Sequence, residues 1–293
     1  MQLANVSQYK IVKMHVTVLP EDLKLKINNE IQLYNYQRTQ DILKTKINLS
    51  KNTISFLRKG TKEVIGDDET VKITNQHFVI MKSGNCLMSE NVSDSFKLYH
   101  SILLFFSNRE VLNFLEKYKG FSSKREGRKS FYIFEYDNFI ENYVLSLEQI
   151  TRFPNQMKQH ILRNKFEELM LYLIHKQGFE FLNNFVNSEN DKIAQLNAIV
   201  KNNKLNKLNL EELAFLANMS VSTFKREFSK IYKTTPMKWF SDQRMDHAAF
   251  LLRTNSKRPI EVFEEIGYEN LSNFVQAFKK KFGVTPKQFQ MQS

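Results

Sequence analysis

The sequence predicts an α+β protein in which a β-rich region is followed by a helical segment and then by an all-α C-terminal domain. Three observations support this: short alternating segments up to residue 107, helical spacing after it, and an internal repeat in the last third. At 293 residues and 42% hydrophobic content, the chain can build two domains with real cores. We therefore divide it into residues 1–107, 108–190 and 191–293.

The β-rich prediction rests on apolar and polar residues that alternate between turn signals. The segments are IQLYNY, TISFLRKG, TKEVIGDDETVKI, HFVIMKSGN and KLYHSILLFF. Gly60, Gly66 and Gly84 lie in the turns that punctuate them. Short strands at this spacing predict a small antiparallel barrel or sandwich.

The helical segment begins after Ser107, where apolar residues adopt i, i+3, i+4, i+7 spacing: Val111, Phe114, Leu115 and Tyr118. A charged loop follows, and then an extended or short helical piece around FYIFEYDNFI. Apolar residues between Pro154 and Phe185 predict an amphipathic helix, which either packs on the barrel, pairs with a second subunit, or does both. We place the linker to the last domain near residues 187–191.

The charge of the chain favours an anionic partner. Lys and Arg outnumber Asp and Glu by 43 to 31, which gives a net charge of +12. Residues 195–293 contain 16 Lys and Arg against 9 Asp and Glu, so the C-terminal third holds more than half of the excess. Nucleic acid is the favoured partner of that part, although a basic solvated surface would look similar.

The cysteine count and the hydropathy pattern indicate the cellular compartment in which the protein is expected. Cys86 is the only cysteine, which excludes an intrachain disulfide and a thiolate zinc cluster and fits a reducing cytoplasm. We interpret Cys86 as a small buried hydrophobic residue, and the alternative is a lone redox-active thiol. Since neither a signal-peptide core nor a run of about 18 apolar residues is present, we expect a cytoplasmic protein without a membrane partner.

The sequence contains no pattern that indicates an enzyme. The six histidines form no H-x-H or HExxH pair, and only His77 and His100 lie in expected strands. No Ser-His-Asp order, P-loop or dinucleotide glycine pattern occurs. We expect no catalytic residue, no metal and no cofactor. The 13% aromatic content either fills a core or lines an apolar pocket, and the core is the simpler interpretation.

The last third contains the internal repeat. FSKIYKTTPMKWF starts at Phe228 and FKKKFGVTPKQFQ at Phe278, a spacing of 50. Each is preceded by a short helical segment that ends in a turn, LEELAFLANMS and IEVFEEIGYEN, and these align at a spacing of 49. The second turn is therefore one residue longer. Each unit has the form of a helix-turn-helix, whose second helix lies in the DNA major groove.

In the first unit, Ser220 is placed to cap the second helix and Ala214 to let the two helices approach closely. Phe224 and Phe228 are expected to face inward. The outward residues are hydroxyls and a basic pair, suited to base edges: Ser222, Thr223, Lys225 and Arg226.

In the second unit, Phe274 and Phe278 are expected to face inward. We assign base contacts to Ser272 and Gln276 and thymine-methyl contacts to Leu271 and Val275. The lysines that follow are assigned to phosphates: Lys279, Lys280 and Lys281.

Residues 209–290 resemble the AraC/XylS family of bacterial transcription regulators. The specific parts are RMDHAAFLLRTN from Arg244, which resembles the family's linking helix, and IGYENLSNFVQAFKKKFGVTPKQF from Ile266, which resembles its C-terminal signature. Two positions depart from the family pattern. Phe263 stands where a small residue is usual, and Lys233 stands where Gly283 keeps the usual glycine in the second unit.

The resemblance implies a β-rich, cupin-like N-terminal barrel with a helical dimerisation segment, followed by the two helix-turn-helix units. It implies a homodimeric regulator, more often an activator, whose partners are double-stranded DNA and RNA polymerase. The N-terminal signal would be either a small apolar effector or a regulatory protein. The alternative is a ligand-binding or protein-interaction module without specific DNA binding.

Overall fold

The computed structural model describes residues 16–24, 30–93, 95–119, 129–150, 153–186, 192–254, 257–268 and 270–292. The expected linker at 187–191 and most of the charged loop after Lys119 lie outside these ranges. The strands are β1 (Thr17–Leu19), β2 (Ile31–Arg38), β3 (Ile42–Leu49), β4 (Asn52–Lys59), β5 (Thr61–Ile65), β6 (Thr70–Ile73), β7 (His77–Met81), β8 (Gly84–Asn91), β9 (Tyr99–Phe106) and β10 (Phe131–Glu135). The helices are α1 (Asn108–Lys117), α2 (Asn138–Ile150), α3 (Asn155–Gln177), α4 (Glu180–Val186), α5 (Lys192–Asn202), α6 (Leu210–Leu216), α7 (Val221–Tyr232), α8 (Pro236–Thr254), α9 (Pro259–Glu265), α10 (Leu271–Phe282) and α11 (Pro286–Met291).

The strands form two five-stranded sheets that pack face to face. The first sheet has the order β1-β3-β8-β5-β6 and the second has the order β10-β7-β4-β9-β2. The pairs are antiparallel except β1 with β3, which is parallel. Apolar side chains from both sheets meet in one buried cluster, in which Ile47 and Met88 of the first sheet join Val79 and Tyr99 of the second. This confirms the β-rich N-terminal region.

Three strands, β1, β3 and β8, were not among the segments expected from the sequence. The alternation of β3 is broken because Leu43 is exposed and a register irregularity lies between Ile42 and Thr45, and β8 contains Asn, Cys, Ser and Glu in place of β-branched residues. The pairing of β3 with β8, in which Ile47 lies opposite Cys86, stabilises strands that local propensity alone does not predict. In the first sheet, β3 lies between β1 and β8, and β8 lies between β3 and β5.

Helices α1 to α4 cover the outer face of the second sheet. The buried side chains of α3, among them Leu162, Phe166 and Leu173, pack in the same cluster as Phe106 of β9. The expected helix between Pro154 and Phe185 is divided at Gly178, whose positive φ of 78° ends α3. The helical segment therefore packs on the strands of its own chain, and pairing with a second subunit stays a prediction.

The C-terminal domain is all α-helical in the described ranges and holds two separate cores. One contains α5, α6, α7 and the start of α8, around Phe224, Phe228 and Phe240. The other contains the end of α8 with α9, α10 and α11, around Phe274 and Phe278. The 19-residue helix α8 belongs to both cores and so links the two units.

Within the described residues, none of the helices has the length and hydropathy that a membrane span requires. The same part of the chain contains no group of three or more His, Cys, Asp or Glu side chains arranged to hold a metal ion.

Candidate nucleic-acid interface

The first unit begins with a capping box at α6. The Asn209 side chain accepts from the Glu212 backbone N–H at 2.9 Å, and the Glu212 carboxylate accepts from the Asn209 backbone N–H at 2.7 Å. This reciprocal pair fixes where α6 starts. Leu213, Ala214 and Leu216 of the helix are buried in the first core, as expected for a helix that supports a neighbour.

The turn between α6 and α7 is closed by the backbone. Asn218 adopts a positive φ of 52°, and the Met219 N–H donates to the Ala214 carbonyl at 2.9 Å. The Ser220 hydroxyl then accepts from the Thr223 N–H at 3.2 Å, which caps α7 as the sequence predicts. The turn therefore sets the direction of α7 relative to α6.

The outward face of α7 carries the residues assigned to base edges. Ser222, Lys225 and Arg226 are exposed, and Thr223 is half-buried beside the cap. Phe224 and Phe228 are fully buried on the opposite side. The separation of a buried aromatic face from a polar face brings these four side chains together on one exposed surface, as a reading helix requires.

Glu227 contacts Arg226, which is assigned to DNA, but the sequence analysis did not identify Glu227. Its carboxylate accepts from Arg226 Nε at 3.0 Å and lies 3.3 Å from Lys230 Nζ. Hydrogen bonds from Arg226 and then Lys230 hold the pKa of Glu227 below its usual value. The i, i+3 spacing to Lys230 was the available signal. Glu227 is thus the ion-pair partner of both Arg226 and Lys230 in this structure.

The second unit repeats this geometry with one extra residue. Gly267 has a positive φ of 83°, and the Tyr268 N–H donates to the Phe263 carbonyl at 2.9 Å, as Met219 does to Ala214. The cap of α10 is Asn270, whose side chain accepts from the Asn273 N–H at 2.8 Å. The turn bonds align at a spacing of 49 and the caps at 50, so the longer second turn is confirmed.

The outward face of α10 is less uniform than that of α7. Ser272, Gln276 and Leu271 are exposed, but Val275 is half-buried and packs against the second core. Its methyl groups therefore contact the protein as well as facing outward. Lys279 and Lys280 are exposed, as expected for phosphate ligands.

Lys281 lies in a different environment from its two neighbours. Its Nζ donates to the Asp242 carbonyl and forms an ion pair with Asp246 at 2.7 Å, both on α8. The side chain is 23% exposed and lies along the linking helix. In this structure Lys281 ties α10 to α8, which differs from the phosphate contact assigned to it from sequence.

The two departures from the family pattern are visible in the structure. Lys233 ends α7 with φ 54° and ψ 23°, and its N–H donates to the Ser229 carbonyl at 3.1 Å. Gly283 ends α10 with φ 80°. Lys233 thus holds in the first unit the left-handed conformation that Gly283 holds in the second. Phe263 is half-buried at the edge of the second core, next to Tyr268 and Phe274.

The first unit also packs against the outer face of the first sheet. Ile65 of β5 and Leu87 of β8 are buried in the same cluster as Leu213 and Leu216 of α6. Polar contacts surround them: Asn85 Nδ2 donates to the Phe215 carbonyl at 2.8 Å, Lys44 Nζ donates to the Lys207 carbonyl at 2.8 Å, and Lys46 lies 3.7 Å from Glu211. The outward residues of α7 remain exposed beside this contact.

Two family models match the chain in separate ranges. Residues 52–184 match a model described as ExsA N-terminal regulatory domain, and residues 213–292 match a model described as helix-turn-helix domain. The first range contains most of the sandwich and its covering helices, and the second contains both helix-turn-helix units.

Curated relatives match over part of their length. The chain is 30% identical over 150 residues to the virulence regulon transcriptional activator VirF of Yersinia enterocolitica, which covers 51% of this chain and 54% of VirF. It is 28% identical over 123 residues to the regulator ExsA of Pseudomonas aeruginosa, covering 42% and 44%. The chain spans about half the length of the curated relatives it matches.

Among solved structures, apo ToxT from Vibrio cholerae strain SCE256 aligns with 90% of this chain and 98% of its own at 15% identity and a TM-score of 0.44. The duplicated helix-turn-helix units, the matched N-terminal regulatory domain and the named relatives agree with the motifs at Arg244 and Ile266. The chain belongs to the AraC/XylS family of bacterial transcription regulators.

Proposed function

We propose that this chain is a sequence-specific DNA-binding regulator that places α7 and α10 in successive major grooves. The observation that carries the proposal is the duplicated geometry of the two units, in which a capped helix buries two phenylalanines and exposes its opposite face. A helix presented in this way fits the width of the major groove. The excess of basic residues in this domain supplies the attraction to phosphates.

The two helices have different roles in the proposal. Arg226 reads a guanine, Lys225, Ser222 and Thr223 support it, and Ser272 and Gln276 contribute at the second half-element. Lys279 and Lys280 bind phosphates. Leu271 and the outer part of Val275 contact thymine methyl groups. The first helix is the stronger reader because its outward face carries the larger number of hydrogen-bonding groups.

Matched substitutions test these roles with the full-length chain. Arg226→Ala is expected to weaken binding to the selected site by about 1 to 3 kcal/mol and to relax preference at one base position. Lys280→Ala is expected to weaken binding to all sequences alike and to lower the salt slope by about one. Equal losses of Arg226→Ala on selected and random DNA would refute base readout by Arg226.

Selection from random DNA followed by salt titration tests the function as a whole. Two enriched half-elements about one helical turn apart are expected when both helices read DNA. A single short element would assign base readout to α7 alone. No enrichment at all would favour the alternative of a ligand-binding or protein-interaction module and would overturn the proposal.

Control by the N-terminal domain is part of the proposal. The first sheet contacts α6 through Leu87 and Asn85, so a change in the sheet reaches the unit that carries α7. A signal shifts such an equilibrium only by binding one arrangement better than the other. Leu87→Ala is expected to speed hydrogen exchange in α6 and to change DNA affinity, and protection equal to that of the native chain would argue against this route.

The remaining parts of the proposal come from the family and its named members. We propose a cytoplasmic homodimer that activates transcription together with RNA polymerase, because VirF is named a transcriptional activator. Transcription in vitro from a promoter that carries the selected site tests the sign of regulation. Analytical ultracentrifugation tests the dimer.

A further inference from the structure

Three charged side chains form a cluster on the outward face of α7. Glu227 Oε1 accepts from Arg226 Nε at 3.0 Å and from Lys230 Nζ at 3.3 Å. At 3.6 residues per turn, Arg226 lies opposite the buried Phe224 and Phe228, at the centre of the outward face. The side chain of Arg226 is 63% exposed and that of Glu227 is 30% exposed. Glu227 therefore flanks the residue that the proposed function turns most directly toward DNA.

Glu227 engages the guanidinium of Arg226 at one nitrogen. A guanidinium has five N–H donors, of which Nε carries one and the two terminal nitrogens carry four. Among the described residues, Glu227 accepts from Nε, and neither terminal nitrogen of Arg226 has a hydrogen-bond partner. A guanine presents two acceptors in the major groove, O6 and N7, which two parallel N–H groups can meet at once. The contact thus leaves open the edge of Arg226 that fits a guanine.

The internal repeat shows that the fold does not require this carboxylate. At the spacing of 50, Arg226 corresponds to Gln276 and Glu227 to Ala277. Helix α10 has the same length as α7, a side-chain cap and two buried phenylalanines without an acidic residue at that position. The carboxylate is present in the unit that carries the arginine and absent from the other. Its role is therefore connected with Arg226 and not with the folding of the recognition helix.

We propose that Glu227 is a positioning residue for base readout, which holds Nε of Arg226 so that the two terminal nitrogens meet the O6 and N7 of a guanine. The inference rests on the proposed function, since it requires α7 to lie in the major groove. An exposed ion pair contributes little in water. In the groove the pair loses water, and the lower local dielectric strengthens its hydrogen bond. Because phosphates repel a free carboxylate, Glu227 keeps its cationic partners in the complex.

Two duplexes measure the guanine preference that Arg226 provides. One carries the selected site, and the other replaces with adenine the guanine at the position where Arg226→Ala relaxes selectivity. A bidentate contact corresponds to a preference of roughly five- to a hundredfold in Kd.

Glu227→Ala in the full-length chain is expected to reduce this preference by about two- to tenfold, because binding must then immobilise a free arginine side chain. Alanine favours a helix, so α7 should remain formed. Affinity for random DNA should stay equal or rise, since a negative charge is removed. An unchanged guanine preference would overturn the proposal.

Lys230→Ala is the matched control because it removes the other partner of the same carboxylate. Lys230 corresponds to Lys280 at the spacing of 50, and both are exposed. The variant is expected to weaken binding to all DNA alike and to keep the guanine preference. A loss of preference as large as that of Glu227→Ala would assign the effect to the charge of the cluster and refute positioning by Glu227.

A double variant separates positioning from direct readout. Carboxylates can themselves accept from the N4 amino group of cytosine. If Glu227 acts through Arg226, Arg226→Ala with Glu227→Ala should lose no more base preference than Arg226→Ala alone. A further loss at another base position would make Glu227 a reading residue and overturn the proposal.

The contact can also be measured without DNA. Hydrogen bonds from Arg226 and then from Lys230 hold the pKa of Glu227 below its usual value. Carbon-13 NMR of glutamate-labelled full-length chain should show that pKa rising toward its usual value in Arg226→Ala, and rising less in Lys230→Ala. No rise in Arg226→Ala would show that the contact does not form and would remove the basis of the proposal.

The proposed function and the role of Glu227 fail in different ways. Enrichment of a DNA site together with an unchanged guanine preference in Glu227→Ala would leave the regulator standing and remove the positioning role. The absence of any enriched sequence would remove the regulator itself, whatever the pKa of Glu227 shows.

Discussion

Replacing Lys233 by glycine is expected to stabilise the first helix-turn-helix unit. Lys233 ends α7 in the left-handed region, at φ 54° and ψ 23°, where an L side chain is crowded by its own backbone. In the second unit, Gly283 occupies the corresponding position at φ 80°. The two ends form an internal comparison of the same cap with and without a side chain.

The magnitude follows from two opposing effects. A left-handed conformation costs an L residue about 1 to 2 kcal/mol, and this cost disappears with glycine. Glycine in turn loses more backbone freedom on folding, by about 0.5 to 1 kcal/mol. The net gain expected for Lys233→Gly is therefore about 0.5 to 1 kcal/mol.

Trp239 is a local reporter for this measurement. It is the only tryptophan in the sequence, and its ring lies 5.3 Å from Tyr232 and 6.0 Å from Phe228, next to the end of α7. With a urea dependence of about 1 to 3 kcal/mol per molar, the midpoint of its fluorescence transition should rise by a few tenths of a molar.

Lys233→Ala is the matched control because it removes the charge and keeps the left-handed strain. Its midpoint is expected to stay close to that of the native chain. If Lys233→Gly left the midpoint unchanged or lowered it, backbone strain at Lys233 would not be limiting. Equal gains for both variants would assign the effect to the charge of Lys233.

Three further predictions concern other parts of the chain. Burial raises the pKa of Cys86 to about 12, so iodoacetamide at pH 8 should label it only after unfolding, and rapid labelling of the native chain, detected by mass spectrometry, would contradict its buried placement. Phe263→Ala should bring α9 closer to α10 and tighten DNA binding in gel-shift titrations, whereas unchanged affinity would show that Phe263 does not displace α10. Lys281→Met should loosen α10 from α8 and weaken footprinting protection of the second half-element alone, whereas uniform weakening on all DNA would restore Lys281 to the phosphate ligands.

The sequence allowed the C-terminal domain to be predicted in detail because its signals are local. Caps at Ser220, inward phenylalanines at a helical period and a repeat of 49 to 50 residues each reflect contacts within a few turns of helix. The one-residue difference between the two turns could even be located by aligning the repeat. The contacts of Lys281 with α8 were not predicted because its partners lie 35 to 39 positions earlier in the chain.

The N-terminal region was predicted less completely because its strands depend on distant partners. Leu87 is fully buried, yet it is covered by α6, which lies more than 120 positions later in the chain. No local pattern marks such a residue. The same holds for Lys62 and Glu90, whose burial follows from the register of β5 with β8 and from the second sheet behind them.

Alternate residues of strand β8 face different parts of the protein. Its even positions, Cys86, Met88 and Glu90, face the interior, while its odd positions Asn85 and Leu87 touch the DNA-binding domain. A saturation scan of this one strand should therefore separate substitutions into two interleaved classes. Changes at even positions should lower the stability of the sandwich, and changes at odd positions should weaken its contact with the first helix-turn-helix unit.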